Sequence, residues 1–170
     1  MNRTKVFLTL TGYQLTWLAC VFGEDYFSQP LLGIYIGVPY LLIFFYFNKN
    51  KINFLKISLY ISVPGYFFDT FMVYSSIYEF NTPSVIGTLP IWMIVLWPSF
   101  STLFDEILSI FKKYKFIGIL LSSVLGPLTY YLGEPIGIIS INNIYVFITI
   151  MVIFWILLMI YYLQFVLKEN

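Results

Sequence analysis

Asp69 has the most unusual surroundings of any acidic residue in the sequence, because it lies well inside a long apolar stretch. If that stretch crosses a bilayer as a helix, a rise of about 1.5 Å per residue puts Asp69 near the midplane. A charged side chain there costs at least about 2.5 kcal/mol, so it normally faces other helices and has a partner. No Lys or Arg lies at this depth, so we expect Asp69 to be protonated or to accept hydrogen bonds from neutral groups. The candidate site contains Gln14, Tyr66, Asp69, Thr70 and Tyr130, and Tyr13 is a further donor.

Two roles for Asp69 remain open from the sequence. As a functional residue it would relay a proton, or anchor the polar headgroup of a bound substrate. As a structural residue it would stay neutral and hold helices together through hydrogen bonds worth about 0.6 kcal/mol each. The absence of a second ionisable group at the same depth favours the structural role.

Asp105 and Glu106 form a second acidic pair, near the end of another apolar stretch. Three lysines come closely after them, namely Lys112, Lys113 and Lys115. One interpretation is a charged cytoplasmic mouth whose lysines receive an anionic headgroup. The other is a solvated helix end at which opposite charges pair. Adjacent residues of a helix point about 100° apart, so the two acids do not predict a two-carboxylate catalytic site.

The composition excludes several kinds of catalytic and metal site. The sequence has no His and one Cys, so the usual zinc, haem and copper ligand sets are missing, as are Ser-His and Cys-His nucleophiles. An enzyme would need a metal held by Asp69, Asp105 or Glu106, and these acids are predicted at different depths. We therefore predict no catalytic residue, no cofactor and no metal. A net charge of +1 without a basic patch also excludes a nucleic-acid partner.

Six apolar stretches must position these residues. Of the 170 residues, 60% are hydrophobic and 10% are charged, whereas a soluble domain is about 25% charged. Each stretch is long enough for one helical crossing, and the short alternating segments of a membrane β-barrel are absent. We predict an all-α fold, a polytopic six-transmembrane-helix bundle that forms a single domain over residues 1–170. The predicted spans are residues 5–23, 28–47, 57–79, 89–109, 116–133 and 143–167.

The positive charges predict the orientation of this bundle. All nine Lys and Arg residues lie at the N-terminus, in the second and fourth connections, or at the C-terminus. With six spans these positions share one side of the membrane, and the connections on the opposite side contain none. By the positive-inside rule, both termini are cytoplasmic.

Aromatic and small residues add predictions about packing. The aromatic side chains at the expected depth of the interfacial belts are Trp17, Tyr26, Tyr78, Trp92 and Tyr145. Trp97 and Trp155 lie deeper and are expected in the core or on a lipid-facing surface. Gly33 and Gly37 form a small-xxx-small face, which favours close helix approach within the bundle or between protomers.

Four motifs in order resemble a known family over nearly the whole chain. They are YQLTWLACVFG (residues 13–23), GYFFDT (65–70), LPIWMIVLWPSF (89–100) and GPLTYYLG (126–133). The family is a bacterial inner-membrane family of unknown function, domain of unknown function 2878. The resemblance implies a small multi-pass protein of the bacterial cytoplasmic membrane, with genes that often neighbour those of lipid-modifying enzymes. Relatives tend to carry an Asn-His pair where this chain has Asp105 and Glu106.

Three functions are compatible with these observations. The first is an accessory or carrier protein for lipid or hydrophobic small-molecule metabolism, with membrane lipids as its partners. The second is a proton-coupled small-molecule transporter in which Asp69 titrates. The third is a structural or assembly subunit, bound to lipid-modifying enzymes or to another membrane subunit.

Overall fold

The computed structural model of the chain describes residues 3–24, 26–82 and 85–166. These residues are mostly helical, which confirms the predicted all-α class. The helices are α1 (Arg3–Phe22), α2 (Leu32–Phe47), α3 (Lys51–Tyr74), α4 (Met93–Glu106), α5 (Lys115–Tyr131) and α6 (Ile144–Tyr161). Four short strands, which the sequence did not predict, are β1 (Tyr78–Phe80), β2 (Val85–Ile86), β3 (Leu89–Pro90) and β4 (Ile139–Ile141). The predicted end of the sixth span at residue 167 lies outside the described residues.

One helix of the described part of the chain is long and apolar enough to cross a membrane. It covers Ile144–Gln164, 21 residues that combine α6 with the π-helical turn after it. By comparison, α2, α4 and α5 have 16, 14 and 17 residues, fewer than the roughly 20 that a span needs. The longer helices α1 and α3 carry polar residues such as Gln14 and Asp69. The six-span topology therefore remains a prediction.

The chain divides into two compact units. The first unit contains Met1–Gly65 and Pro90–Ser109, and the second contains Tyr66–Leu89 and Ile110–Asn170. Helix α3 contributes to both, because the division falls within it. The single domain over residues 1–170 remains a prediction.

Helices α1, α2 and α4 pack in the first unit through small side chains. A methyl group on Gly37 would lie 2.9 Å from Thr16 Cγ2 and from Val95 Cβ, and one on Gly33 would lie 2.6 Å from Cys20 Sγ. The helix backbones therefore approach closely along the small-xxx-small face. This face serves packing within the unit, the first of the two uses that the sequence left open.

Helices α5 and α6 pack in the second unit around a glycine and a tryptophan. The Trp155 indole lies against Gly126 and leaves no space for a Cβ there, and Ser122 Oγ donates to the Trp155 carbonyl oxygen at 3.3 Å. Trp155 is buried, as is Trp97 in the first unit, which lies against Gly65. Both tryptophans thus have core positions.

The end of α3 sets the path of the chain into the strands of the second unit. The helix ends at Tyr74, before the predicted boundary at residue 79. Ser76 has a positive φ of 53°, the Ile77 N–H donates to the Met72 carbonyl at 3.0 Å, and the Ser76 N–H donates to the Val73 carbonyl at 2.9 Å. This pair of bonds is a Schellman motif, which stops a helix and turns the chain. The chain continues as β1, which pairs with β4 in antiparallel register.

Candidate functional site

Asp69 lies in the part of α3 that belongs to the second unit, and its side chain has no exposed surface. The Tyr78 hydroxyl donates to Asp69 Oδ1 at 2.7 Å, and the Tyr130 hydroxyl donates to the same oxygen at 2.9 Å. A carboxylate oxygen has two lone pairs and can accept both bonds. The site is therefore a buried acid held by two phenols that come from other elements.

The turn at Ser76 is what makes the Tyr78 contact possible. Tyr78 comes nine residues after Asp69. If the helix continued to Tyr78, its rise of about 1.5 Å per residue would carry this side chain away from the acid. Because the helix stops at Tyr74, the chain folds back and β1 presents Tyr78 to Asp69. Pairing of Tyr78 with Ile141 of β4 fixes the backbone of this strand. Tyr130 reaches the acid from the last turn of α5.

Aromatic rings pack around Tyr78, the fully buried donor to the acid. The Tyr78 ring lies 5.9 Å from that of Tyr130 and 6.0 Å from that of Phe147, measured between centroids. The Phe80 ring makes an edge contact with Tyr78 at 5.3 Å. Tyr78 and Phe147 have no exposed surface. An acid in this environment can do two things: join α3, β1 and α5, or exchange a proton with a phenol.

The other predicted members of the site have different positions. Tyr66 lies one helical turn before Asp69, is half-buried, and interacts electrostatically with its carboxyl group. Thr70 is exposed. Gln14 belongs to α1 in the first unit and is exposed as well, and the described residues give its side chain no hydrogen-bond partner. Tyr13 packs against Phe100 with its ring centroid at 5.7 Å. Of the predicted set, the structure thus brings Tyr130 and Tyr66 to Asp69.

Tyr78 is the residue that sequence reasoning missed. Its position near the end of an apolar stretch suggested an interfacial belt, but it is fully buried. Trp92 was placed in the same belt and is buried too, with its carbonyl oxygen 3.8 Å from Cys20 Sγ. The signal that could have identified Tyr78 is the helix stop at Ser76, which is not visible in a hydropathy pattern.

The second acidic pair is held by residues that are distant in sequence. Asn48 Nδ2 donates to Asp105 Oδ2 at 2.6 Å, and Asn53 Nδ2 donates to Asp105 Oδ1 at 3.3 Å. Glu106 forms an ion pair with Lys5. These contacts join the first residues of α1 and α3 to the last residues of α2 and α4, all within the first unit.

The three lysines of the proposed mouth have exposed side chains. Lys112, Lys113 and Lys115 are exposed and belong to the second unit. Lys113 Nζ lies over the ring of its neighbour Tyr114, 5.2 Å from the centroid. Asp105 contacts the two asparagines and Glu106 contacts Lys5, all within the first unit. These contacts agree with the second interpretation, a helix end at which opposite charges pair.

An open apolar groove lies beside the end of α2 in the first unit. It measures about 440 Å³ and is lined by Leu42, Ile43, Phe45, Tyr46, Phe47 and Lys51. Lys51 provides the charge: its Nζ lies 5.9 Å from the Phe45 ring centroid and donates to the Asn48 carbonyl oxygen at 3.4 Å. The sequence analysis did not predict this groove, because its walls come from an ordinary apolar helix.

The described residues contain no group of three or more His, Cys, Asp or Glu side chains that could hold a metal ion. Their polar clusters consist of carboxyl, phenol, carboxamide and hydroxyl groups and the ammonium group of Lys5.

A comparison with protein families gives one match. The family described as "Protein of unknown function (DUF2878)" matches residues 6–161. The match covers most of the chain and confirms the resemblance that the four motifs indicated. No curated protein and no solved structure matches the chain.

Proposed function

The chain belongs to the DUF2878 family, whose function is unknown, and from that premise we propose that it is a multi-pass membrane protein that binds lipid. It would act as an accessory or carrier protein in lipid or hydrophobic small-molecule metabolism. The observation that carries the proposal is the apolar groove with Lys51 at its edge. Its occupant would be an anionic phospholipid, with the acyl chain along α2 and the headgroup at Lys51.

The groove has the chemistry that such a lipid needs. Sites for small molecules usually measure about 300–1,000 Å³ and have apolar walls with a few polar groups that fix orientation. Here five apolar or aromatic residues form the walls and one lysine supplies the charge. A basic residue next to a membrane helix attracts anionic lipid by about 1 kcal/mol, so Lys51 at the edge of the groove is the residue that would hold the headgroup.

Membrane placement rests on three observations. One helix, Ile144–Gln164, is long and apolar enough to cross a bilayer. Large apolar side chains are exposed along several helices, such as Phe7 on α1, Leu120 on α5 and Leu157 on α6, which in a soluble monomer would be unusual. The segregated positive charges support six spans with both termini in the cytoplasm, and the family resemblance supports the inner membrane of a bacterial cell. Reporter fusions at both termini and in each connection test this topology.

The lipid site can be tested by native mass spectrometry of protein released from nanodiscs that contain equal phosphatidylglycerol and phosphatidylcholine. We expect retained phosphatidylglycerol on the wild type and about fivefold less on Lys51→Glu, the effect of about 1 kcal/mol. Lys56→Glu is the matched control, because Lys56 is exposed on α3 but does not line the groove. Ile43→Trp should reduce binding of both lipids by filling the groove. Equal losses in Lys51→Glu and Lys56→Glu would contradict the proposal.

A second candidate function, proton-coupled transport, is supported by the complete burial of Asp69 between two phenols. Asp69→Asn tests it, because an amide oxygen still accepts both hydrogen bonds but the side chain cannot carry a proton. In vesicles with a pH gradient, transfer of fluorescent phosphatidylglycerol should accelerate with the wild type and not with Asp69→Asn. If the transfer rate with the wild type does not depend on the pH gradient, this candidate is eliminated.

A third role, as a structural or assembly subunit, remains the alternative if no lipid is retained. Lipid-modifying enzymes or another membrane subunit are its predicted partners. Stable co-purification of such an enzyme with a chain that binds no lipid would favour this role.

A further inference from the structure

Asp105 binds both ends of the connection between α2 and α3. Its Oδ2 accepts from Asn48 Nδ2 at 2.6 Å, and its Oδ1 accepts from Asn53 Nδ2 at 3.3 Å. Asn48 directly follows the last residue of α2, and Asn53 lies in the first turn of α3. All three residues belong to the first unit. One carboxyl group of α4 therefore holds the residues on either side of this connection.

Lys51, the charged residue of the apolar groove, lies between these two asparagines in the sequence. Its Nζ donates to the Asn48 carbonyl oxygen at 3.4 Å and lies 5.9 Å from the Phe45 ring centroid. The backbone around it is bonded as well: the Asn50 N–H donates to Asn48 Oδ1 at 3.0 Å, and the Asn53 N–H donates to Asn50 Oδ1 at 3.1 Å. Each of these hydrogen bonds involves one of the two asparagines that the α4 carboxyl group holds.

We propose that Asp105 is a positioning residue of the lipid groove: through the two asparagines it holds Lys51 where the ammonium group meets the lipid headgroup. The inference rests on the lipid site proposed for this chain and adds to it a residue outside the groove lining. A lysine has a long flexible stem, and ordering that stem on binding costs entropy. Because hydrogen bonds already hold this ammonium group at the groove, less entropy is lost when the headgroup binds. The group has three donors, so one bond to the Asn48 carbonyl leaves two for phosphate oxygens.

The sign of the effect separates positioning from simple electrostatics. A carboxylate in the same unit repels an anionic headgroup, so charge alone predicts that loss of Asp105 strengthens lipid binding. Positioning predicts the reverse, because the hydrogen bonds that hold Lys51 in place are weakened. Glu106 is the matched control: it is adjacent to Asp105 on α4, has the same formal charge, and forms its ion pair with Lys5.

The test is native mass spectrometry of the full chain released from nanodiscs that contain equal phosphatidylglycerol and phosphatidylcholine. Its readout is the ratio of the two retained lipids, because a variant that merely loosens the first unit loses both lipids together. Asp105→Leu should lower the ratio of phosphatidylglycerol to phosphatidylcholine roughly threefold, the effect of one lysine side chain left unordered. Asp105→Asn keeps one acceptor oxygen and should lower the ratio less. Glu106→Leu should not lower it.

A second measurement determines whether Asp105 acts through Lys51. In a Lys51→Met background, Asp105→Leu should produce no further change in the lipid ratio, because two changes that act through one residue are not additive. A further fall in that background would overturn the positioning role. An unchanged or higher ratio in Asp105→Leu alone, or an equal fall in Glu106→Leu, would overturn it too and leave the lipid site in place. If Lys51→Met itself leaves the ratio unchanged, the lipid site and the positioning role both fail.

Discussion

Asp69 in the second unit and Asp105 in the first are both helical aspartates with two hydrogen-bond donors, but the donors differ in kind. Asp69 accepts from two tyrosine hydroxyls, both at Oδ1, in a place without exposed surface. Asp105 accepts from two asparagine carboxamides, one at each oxygen, beside the ion pair of Glu106 with Lys5. Asp105 is half-buried, at a helix end.

The difference shows how access to water decides what can hold an acid. Near a helix end, water and a charged neighbour share the task of stabilising a carboxyl group, so short flexible amides suffice. In a fully buried place such as that of Asp69 the donors must also fill space, and tyrosine provides both a large apolar ring and one hydroxyl. Removal of the acid should therefore be more costly where water cannot replace it.

The comparison is sharpest for the same substitution at both acids. Asp69→Leu removes the acceptor of two phenols, and a stranded hydroxyl costs about 1–3 kcal/mol when buried, as at Tyr78, and about half as much when half-buried, as at Tyr130, so we expect a loss of about 1.5–4.5 kcal/mol. Asp105→Leu should cost about 1–2 kcal/mol, because solvent can reach a half-buried site. Reversible unfolding in mixed micelles measures both values.

The corresponding asparagine variants are the controls for this pair. Asp69→Asn and Asp105→Asn keep an acceptor oxygen and nearly the same volume, so each should lose less stability than its leucine variant. If Asp105→Leu proves as costly as Asp69→Leu, burial does not control the difference between the two sites.

The two phenols of the Asp69 site should differ from each other in the same way. Tyr78 is fully buried and Tyr130 is half-buried. Removal of one donor from a carboxyl group costs about 1.5–3 kcal/mol when water cannot replace it. We therefore expect Tyr78→Phe to lower the free energy of unfolding by about that amount and Tyr130→Phe by about half as much. A double-mutant cycle with Asp69→Leu, which removes the acceptor, shows whether the losses pass through the acid. Equal losses for the two tyrosines would mean that burial does not set the cost of removing a hydroxyl, and no loss in either variant would mean that the rings, which phenylalanine keeps, determine stability.

Hydropathy was sufficient to predict the helices and to identify Asp69 as an acid within an apolar stretch. It is a property of composition along the chain, and most helices begin and end within about four residues of the predicted bounds. The end of α3 is the informative exception. Ser76 stops the helix through its backbone conformation, and this turn, invisible to hydropathy, is what brings Tyr78 to the acid.

The partners of the other residues depended on packing that the sequence does not contain. Gln14 lies on the exposed face of α1 and not beside Asp69 in its own unit, because the rotation of a helix is set by its neighbours. The sequence offered the lysines after Asp105 as the positive charges of this helix end, whereas the contacts seen within the first unit come from Asn48, Asn53 and Lys5, which lie far from Asp105 in the sequence.

The ion pair of Lys5 with Glu106 should have the smallest effect and should differ from Asp69 in its response to salt. The side chains of Lys5 and Glu106 are 31% and 12% exposed, so solvent screens their attraction and the pair is worth at most about 1 kcal/mol. Glu106→Gln should lower stability by that amount in dilute buffer and by less in 1 M salt, where the Debye length is about 3 Å. The cost of Asp69→Asn should not change with salt, because its donors are neutral and its site is buried. If the stability lost in Glu106→Gln is the same at both salt concentrations, Glu106 contributes packing instead of charge. The contrast between the two acidic regions would then depend on burial alone.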